Sequence, residues 1–143
     1  MKFFDEYPAH FSLEDGIYVV TFRDWPAAIT QGDSKEEARE MAADVLALAM
    51  NEAISKREMP PEPSKPIKGE EMVRVAFLVR VKLDLIAKMQ EQLVRPADLA
   101  KLIHVKPQEM TRVLNLTHAT KVDTLDRAFA ALGWSLQHSL KKC

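Results

Sequence analysis

From Tyr7 to Leu13 apolar and polar positions alternate, with Ala9, Phe11 and Leu13 on one side and His10 and Ser12 on the other. That is the period of a half-buried strand. Asp15-Gly16 then marks a tight turn, because glycine takes positive φ without steric cost. Ile17-Tyr18-Val19-Val20-Thr21-Phe22 is β-branched or aromatic throughout, so it predicts the second strand of a hairpin. Trp25-Pro26 interrupts the run, and Ala27 to Thr30 predicts a short third strand before Gln31-Gly32-Asp33. Ser34-Lys35-Glu36-Glu37 has the form of a capping box, with the serine oxygen accepting from the Glu37 amide and the glutamate reaching back. Ala38, Met41, Ala42, Val45, Leu46, Leu48, Ala49 and Ala53 follow at helical spacing and predict a helix laid on the sheet. Pro60-Pro61-Glu62-Pro63-Ser64-Lys65-Pro66 reads as a stiff, extended connector. Met72 to Leu78 reads as a last strand, Val73, Val75 and Phe77 alternating with Arg74 and Ala76. Residues 1–78 thus predict a β-β-β-α-β domain.

The remainder, residues 79–143, changes period. Val81 to Glu91 carries Leu85, Ile86 and Met89 and reads as a helix. Two short helices follow, Pro96 to Ile103 and Pro107 to Asn115, each beginning with a proline whose missing amide costs little in a first turn. A fourth, Val122 to Leu132, ends at Gly133, suited to a left-handed C-cap. Trp134 to Leu140 alternates in twos, like a strand. A strand there has an open edge, so pairing with a second copy of the chain is the expectation. The fold class is therefore α+β: a sheet-and-helix domain, then an all-α domain.

Pro96 to Asn115 fits two short helices around a tight turn. Leu99, Ala100, Ile103, Val105, Met110 and Val113 fall where the helices must meet each other and a small bundle. The second helix then exposes Gln108, Glu109, Thr111, Arg112 and Asn115, a set able to bond base edges. Arginine suits guanine and Gln or Asn suits adenine, because each bonds twice in one plane. Lys106, Thr117, Thr120 and Lys121 flank that helix and suit phosphates. A helix-turn-helix of this kind lays its second helix in the major groove. The turn position usually held by glycine is His104, which implies a strained or modified turn. An ordinary helical pair with a polar outer face gives the same pattern.

Charge separates those readings. The net charge of −1 hides a division: residues 1–71 hold eight basic and fifteen acidic side chains, residues 72–143 twelve and six. A basic surface attracts phosphate and an acidic one a cationic protein, which favours DNA for the second half. Acidic and basic helices falling on different sides by chance would give the same division.

Two stretches then resemble the HicB antitoxins. Lys106-Pro107-Gln108-Glu109-Met110-Thr111-Arg112 and Asn115-Leu116-Thr117-His118-Ala119-Thr120-Lys121-Val122-Asp123 look like that family's DNA-binding segment. Tyr7-Pro8, Gly16 to Phe22 and Ala28-Ile29-Thr30-Gln31-Gly32-Asp33 resemble its N-terminal domain. The resemblance implies a partial ribonuclease H fold without an active site at 1–78, binding a HicA-like toxin that cleaves mRNA. It further implies a DNA-binding and dimerisation domain at 79–143 that represses its own operon as a homodimer or homotetramer. It does not indicate which residues touch the toxin. The competing class is a stand-alone transcription regulator whose N-terminal domain senses another protein or a small ligand.

Catalysis is not expected. A ribonuclease H-type site needs carboxylates converging on divalent metal, and Asp24, Asp33 and Asp44 show no evident convergence in the pattern. His10, His104, His118 and His138 lack metal-ligand spacing, and Cys143 stands alone at the last position. The four glycines form no phosphate-cradling loop, and Met41, Met50, Met72, Met89 and Met110 read as packing. No cofactor and no metal follow. With no apolar run near the roughly 20 residues of a membrane span and no signal-like N-terminus, the expectation is a cytoplasmic protein without membrane contact.

Overall fold

Asp15 and Gly16 both take positive φ, +53° and +80°. A two-residue turn with that pair of signs matches the right-handed twist of the strands it joins. It closes β1 (Glu6–Glu14) onto β2 (Ile17–Thr21), with Glu14 opposite Ile17 and His10 opposite Thr21. β3 (Ile29–Gly32) pairs with β2, and β4 (Glu70–Arg74) pairs with the other side of β1. The antiparallel sheet therefore runs β3-β2-β1-β4. The computed structural model describes residues 1–143, which fall into two units, Met1–Arg80 and Val81–Cys143.

In the first unit one helix, α1 (Lys35–Ser55), covers one face of the sheet. Its buried stripe is Ala38, Ala42, Leu46, Met50 and Ala53, against buried Tyr7, Ala9, Val20 and Val73. Met41 and Leu48, expected in that stripe, are exposed. The small residues let helix and sheet approach closely: a Cβ on Gly32 would lie 2.5 Å from the Ala38 backbone nitrogen. Ser34 caps α1 as its sequence requires, accepting from the Glu37 amide at 3.1 Å. The Glu37 carboxylate reaches one residue further back than a capping box predicts, to the Asp33 amide at 3.1 Å.

The proline-rich stretch has no regular secondary structure, and side chains tie it back to its own unit. Tyr7, fully buried, donates its hydroxyl to Pro61 O at 2.7 Å, and burial pushes that hydroxyl's pKa up to about 12. Asp24 accepts from the Ser64 amide at 2.9 Å and from the Ser64 hydroxyl at 2.5 Å. Arg23 donates to Lys65 O at 2.8 Å and to both oxygens of Glu70 at 2.8 and 2.9 Å. The stretch is a strap across the β2–β3 loop rather than a free connector.

Two sequence expectations fail at the end of this unit. The strand expected at Met72–Leu78 stops at Arg74, and a helix, α2 (Phe77–Glu91), begins where strand was expected. Val79, Leu83, Ile86 and Met89 are buried along it at spacings of three and four, and that longer period overrides the short alternation at Val73–Phe77.

The second unit continues α2 and adds α3 (Pro96–Leu102), α4 (Pro107–Leu114) and α5 (Val122–Ala131). Leu85, Leu99, Met110, Val113, Leu125 and Ala128 are at most 1 % exposed and form its core. Asp98 opens α3 by accepting from the Arg95 amide at 3.1 Å. α5 stops at Gly133 (φ +85°), with the Trp134 amide bonded to Phe129 O at 2.9 Å. The tail after Gly133 forms no strand in the single chain, where the edge expected to pair with it belongs to a second copy. Trp134 instead lies under the Lys88 ammonium, 4.1 Å from its ring centre.

α3 stops in the same manner as α5 but without glycine. His104 takes φ +56°, its amide reaches Lys101 O at 3.3 Å, and the Val105 amide reaches Ala100 O at 3.0 Å. These are the paired bonds of a Schellman stop, with a Cβ-bearing residue in the left-handed position.

Two outcomes follow from these local features. Arg23 and then the Ile67 amide hold the Glu70 carboxyl at about 2, below its ordinary 4.5. The folded state therefore binds this proton more weakly than the unfolded one. The stabilisation is complete above about pH 4.5 and is lost as pH falls toward 2. Urea titrations should show Glu70→Gln less stable at pH 7 and losing less stability than the parent between those two pH values. His104→Gly relieves the left-handed strain and should stabilise the second unit by about 1 kcal/mol, read as a higher urea midpoint at unchanged slope.

Candidate nucleic-acid interface

α3 and α4 are joined by the four residues Ile103–Lys106 and pack through Leu99, Ala100, Ile103, Met110 and Val113, all buried. An eight-residue helix such as α4 has little stability alone, so its buried side fixes which side faces outward. Lys106 occupies the N-cap of α4 and Pro107 its first turn. Lys106, Gln108, Thr111 and Arg112 are exposed, and Glu109 is half-buried. Val105, Lys106, Gln108, Glu109 and Arg112 together line an open hollow of about 460 Å³ on this surface.

The individual side chains differ in how free they are. Arg112 sits 3.6 Å from Glu109 one turn back, with 61 % of its side chain exposed. An exposed pair of that length contributes at most a few tenths of a kcal/mol, roughly, so the guanidinium can leave it for a stronger acceptor. Thr111 donates its hydroxyl to Pro107 O at 3.1 Å. Gln108 projects from the first turn beside Arg112, and these two side chains offer planar, paired hydrogen bonds.

Three residues named from sequence stand differently. Asn115 uses its side-chain oxygen within the turn after α4, accepting from the Thr117 amide at 2.8 Å and hydroxyl at 2.7 Å. A paired bond to adenine needs that oxygen, so Asn115 as placed offers outward only its amide nitrogen. Thr117 is exposed, but its hydroxyl proton is committed to Asn115. The Thr120 hydroxyl is buried without a partner, so it is not presented to a phosphate. Lys121, the N-cap of α5, is exposed. Lys106, Gln108, Arg112 and Lys121 are the accessible set.

One residue of this region was missed from sequence. Lys82 on α2 is the buried charged side chain of the fold, 0 % exposed. Its ammonium donates to the backbone oxygens of Arg112 at 3.3 Å, Asn115 at 2.7 Å and His118 at 2.6 Å. Burial pulls its pKa down to about 8, while three carbonyl acceptors each need a donor and so favour the three-donor ammonium. The signal was present: Lys82 lies among Val79, Leu83 and Ile86, on the face of α2 that apolar spacing assigns to the core.

Counted by unit, residues 1–80 hold ten basic and fifteen acidic side chains, and residues 81–143 ten and six. Asp24 has both oxygens engaged by Ser64, and no three His, Cys, Asp or Glu side chains are placed to hold a metal ion. No helix is long and apolar enough to cross a membrane.

A family model described as the HicB-like antitoxin of bacterial toxin-antitoxin systems matches residues 6–84, which takes in the whole sheet and α1. Similarity to individual proteins extends further along the chain. A protein named Antitoxin HicB 2 from Photorhabdus laumondii is 38% identical over 92% of this chain and 93% of its own length. Antitoxin HicB of Escherichia coli is 36% identical over 85% of this chain and 88% of its own. One from Pseudomonas fluorescens is 25% identical, still over 90% and 88%. A sheet-and-helix unit followed by a helix-turn-helix unit, matched by relatives across both, places this chain in the HicB-like antitoxin family.

Proposed function

We propose that this chain neutralises a HicA-like ribonuclease toxin through residues 1–80 and represses its own operon through residues 81–143, without catalysing a reaction itself. The observation that carries the second half is α4: a short helix fixed by its buried side, in a unit with a surplus of positive charge, turning Gln108 and Arg112 outward between Lys106 and Lys121. Lysines at either end suit the phosphates that set register, while Gln108 and Arg112 suit base edges. Reading a palindrome takes two such helices about one helical turn apart. The active form is therefore a homodimer or homotetramer.

The first half rests on family membership and on charge. A toxin that binds RNA presents a cationic surface, and the first unit carries the opposite sign. Glu36, Glu40 and Asp44 stand exposed at spacings of four on α1, a row of carboxylates on one side of the helix. Inhibition on this reading is steric and electrostatic, the acidic unit covering the face that the toxin offers to RNA. Toxin binding and operator binding both weaken with salt, one through the acidic unit's charge and the other through the basic unit's.

Replacing Gln108 and Arg112 together by alanine should remove the gel shift of the operon's own promoter fragment. Neutralisation of the co-expressed toxin should survive in the same variant. Loss of both activities would mean that α4 is needed for the fold as a whole, and an unchanged shift would mean that DNA is read elsewhere.

A further inference from the structure

Lys82 is costly where it is. An ammonium removed from water is tolerated only if its charge is met and its donors are all used. Here the three donors meet three main-chain oxygens. Those oxygens belong to one segment: Arg112 in the last turn of α4, Asn115 at its C-cap, and His118 in the turn beyond. The last carbonyls of a helix lack partners within it, and the helix dipole puts partial negative charge at that end. The Arg112 and Asn115 oxygens already accept from the Asn115 and His118 amides at 3.2 Å, so the buried cation adds a second bond to each and meets the negative end of the dipole. The same segment connects Arg112 to Lys121, two of the four accessible side chains of the interface.

We infer that Lys82 is a positioning residue for the DNA interface, its ammonium holding the end of α4 and the turn to Lys121 in the arrangement that presents Arg112 and Lys121 to one duplex. This rests on the reading of α4 as the DNA-recognition helix. Lys82 itself touches no phosphate, because it is fully buried. It therefore releases no counterion on binding, and that separates it from every surface lysine. Loss of a phosphate-binding lysine lowers the salt dependence and weakens all duplexes alike. Loss of Lys82 disorders the reading surface while the outer charges remain.

The test uses the full chain with Lys82→Met, which keeps side-chain length and removes the charge, and Lys82→Arg, which keeps the charge. Fluorescence anisotropy measures affinity for a duplex from the promoter upstream of the chain's own gene and for a scrambled duplex, over a range of salt. Hydrogen exchange follows the backbone amides in parallel. Lys82→Met should bind the promoter duplex at least tenfold more weakly, with affinity for the scrambled duplex and the salt slope unchanged. Loss of protection should centre on residues 112–121, and Lys82→Arg should recover part of both effects. Unchanged affinity with unchanged exchange overturns the proposal. So does equal weakening on both duplexes with protection lost throughout residues 81–143, since Lys82 would then support only general stability. Should the unaltered chain prefer no duplex, the DNA reading fails, and exchange alone decides whether Lys82 orders residues 112–121.

Discussion

A helix of eight residues does not hold itself together in water, and α4 is such a helix. What it presents depends on what grips it from behind. Met110 and Val113 anchor it in the core of the second unit, and the Lys82 ammonium binds the carbonyls at its C-terminal end. The Schellman stop at His104 sets the turn by which it is entered. Two of these three constraints run against local preference. A lysine is buried and a histidine takes a left-handed backbone, each at a cost that apolar packing must offset. The costs fall on the segment whose orientation the proposed function requires.

The first unit is held by a different means. Alanines on α1 and Gly32 on β3 bring helix and sheet close, and Tyr7, Asp24 and Arg23 bind the proline-rich strap over the β2–β3 loop. Bound this way, Asp24 serves the fold, each of its oxygens accepting from Ser64. The exposed carboxylates of α1 remain outside that network as a charged surface. Charge thus divides along the chain in parallel with structure: acidic excess lies on the sheet-bearing unit and basic excess on the helical one.

Much of this was legible in the residues. The hairpin at Asp15-Gly16, the Ser34 cap, the two proline-led helices, the Gly133 stop and the unusual turn at His104 each follow from a local rule about φ, capping or period, and each is present. Errors arose where a short window admits two periods. Val73 to Phe77 alternates like a strand, yet the longer spacing through Met89 makes a helix from Phe77. Trp134 to Leu140 alternates too and forms no strand in the single chain, since the edge it was expected to meet lies on a second copy. In the interface, residue types were read correctly as polar, while their commitments were not visible. Asn115 bonds Thr117, so that part of the turn after α4 satisfies itself before it meets any ligand, and Thr120 turns its hydroxyl inward without a partner. Lys82 was overlooked because a lysine is ordinarily taken as surface.

The central claim is that one chain separates its two tasks, with DNA read only by the surface around α4. Backbone amide spectra of the full-length protein, recorded as the promoter duplex is added, test this most directly. The account predicts shifts concentrated between His104 and Lys121, with residues 1–80 unmoved by the duplex at near-physiological salt. Shifts centred on the sheet or on α1, or a spectrum indifferent to the duplex, would contradict it.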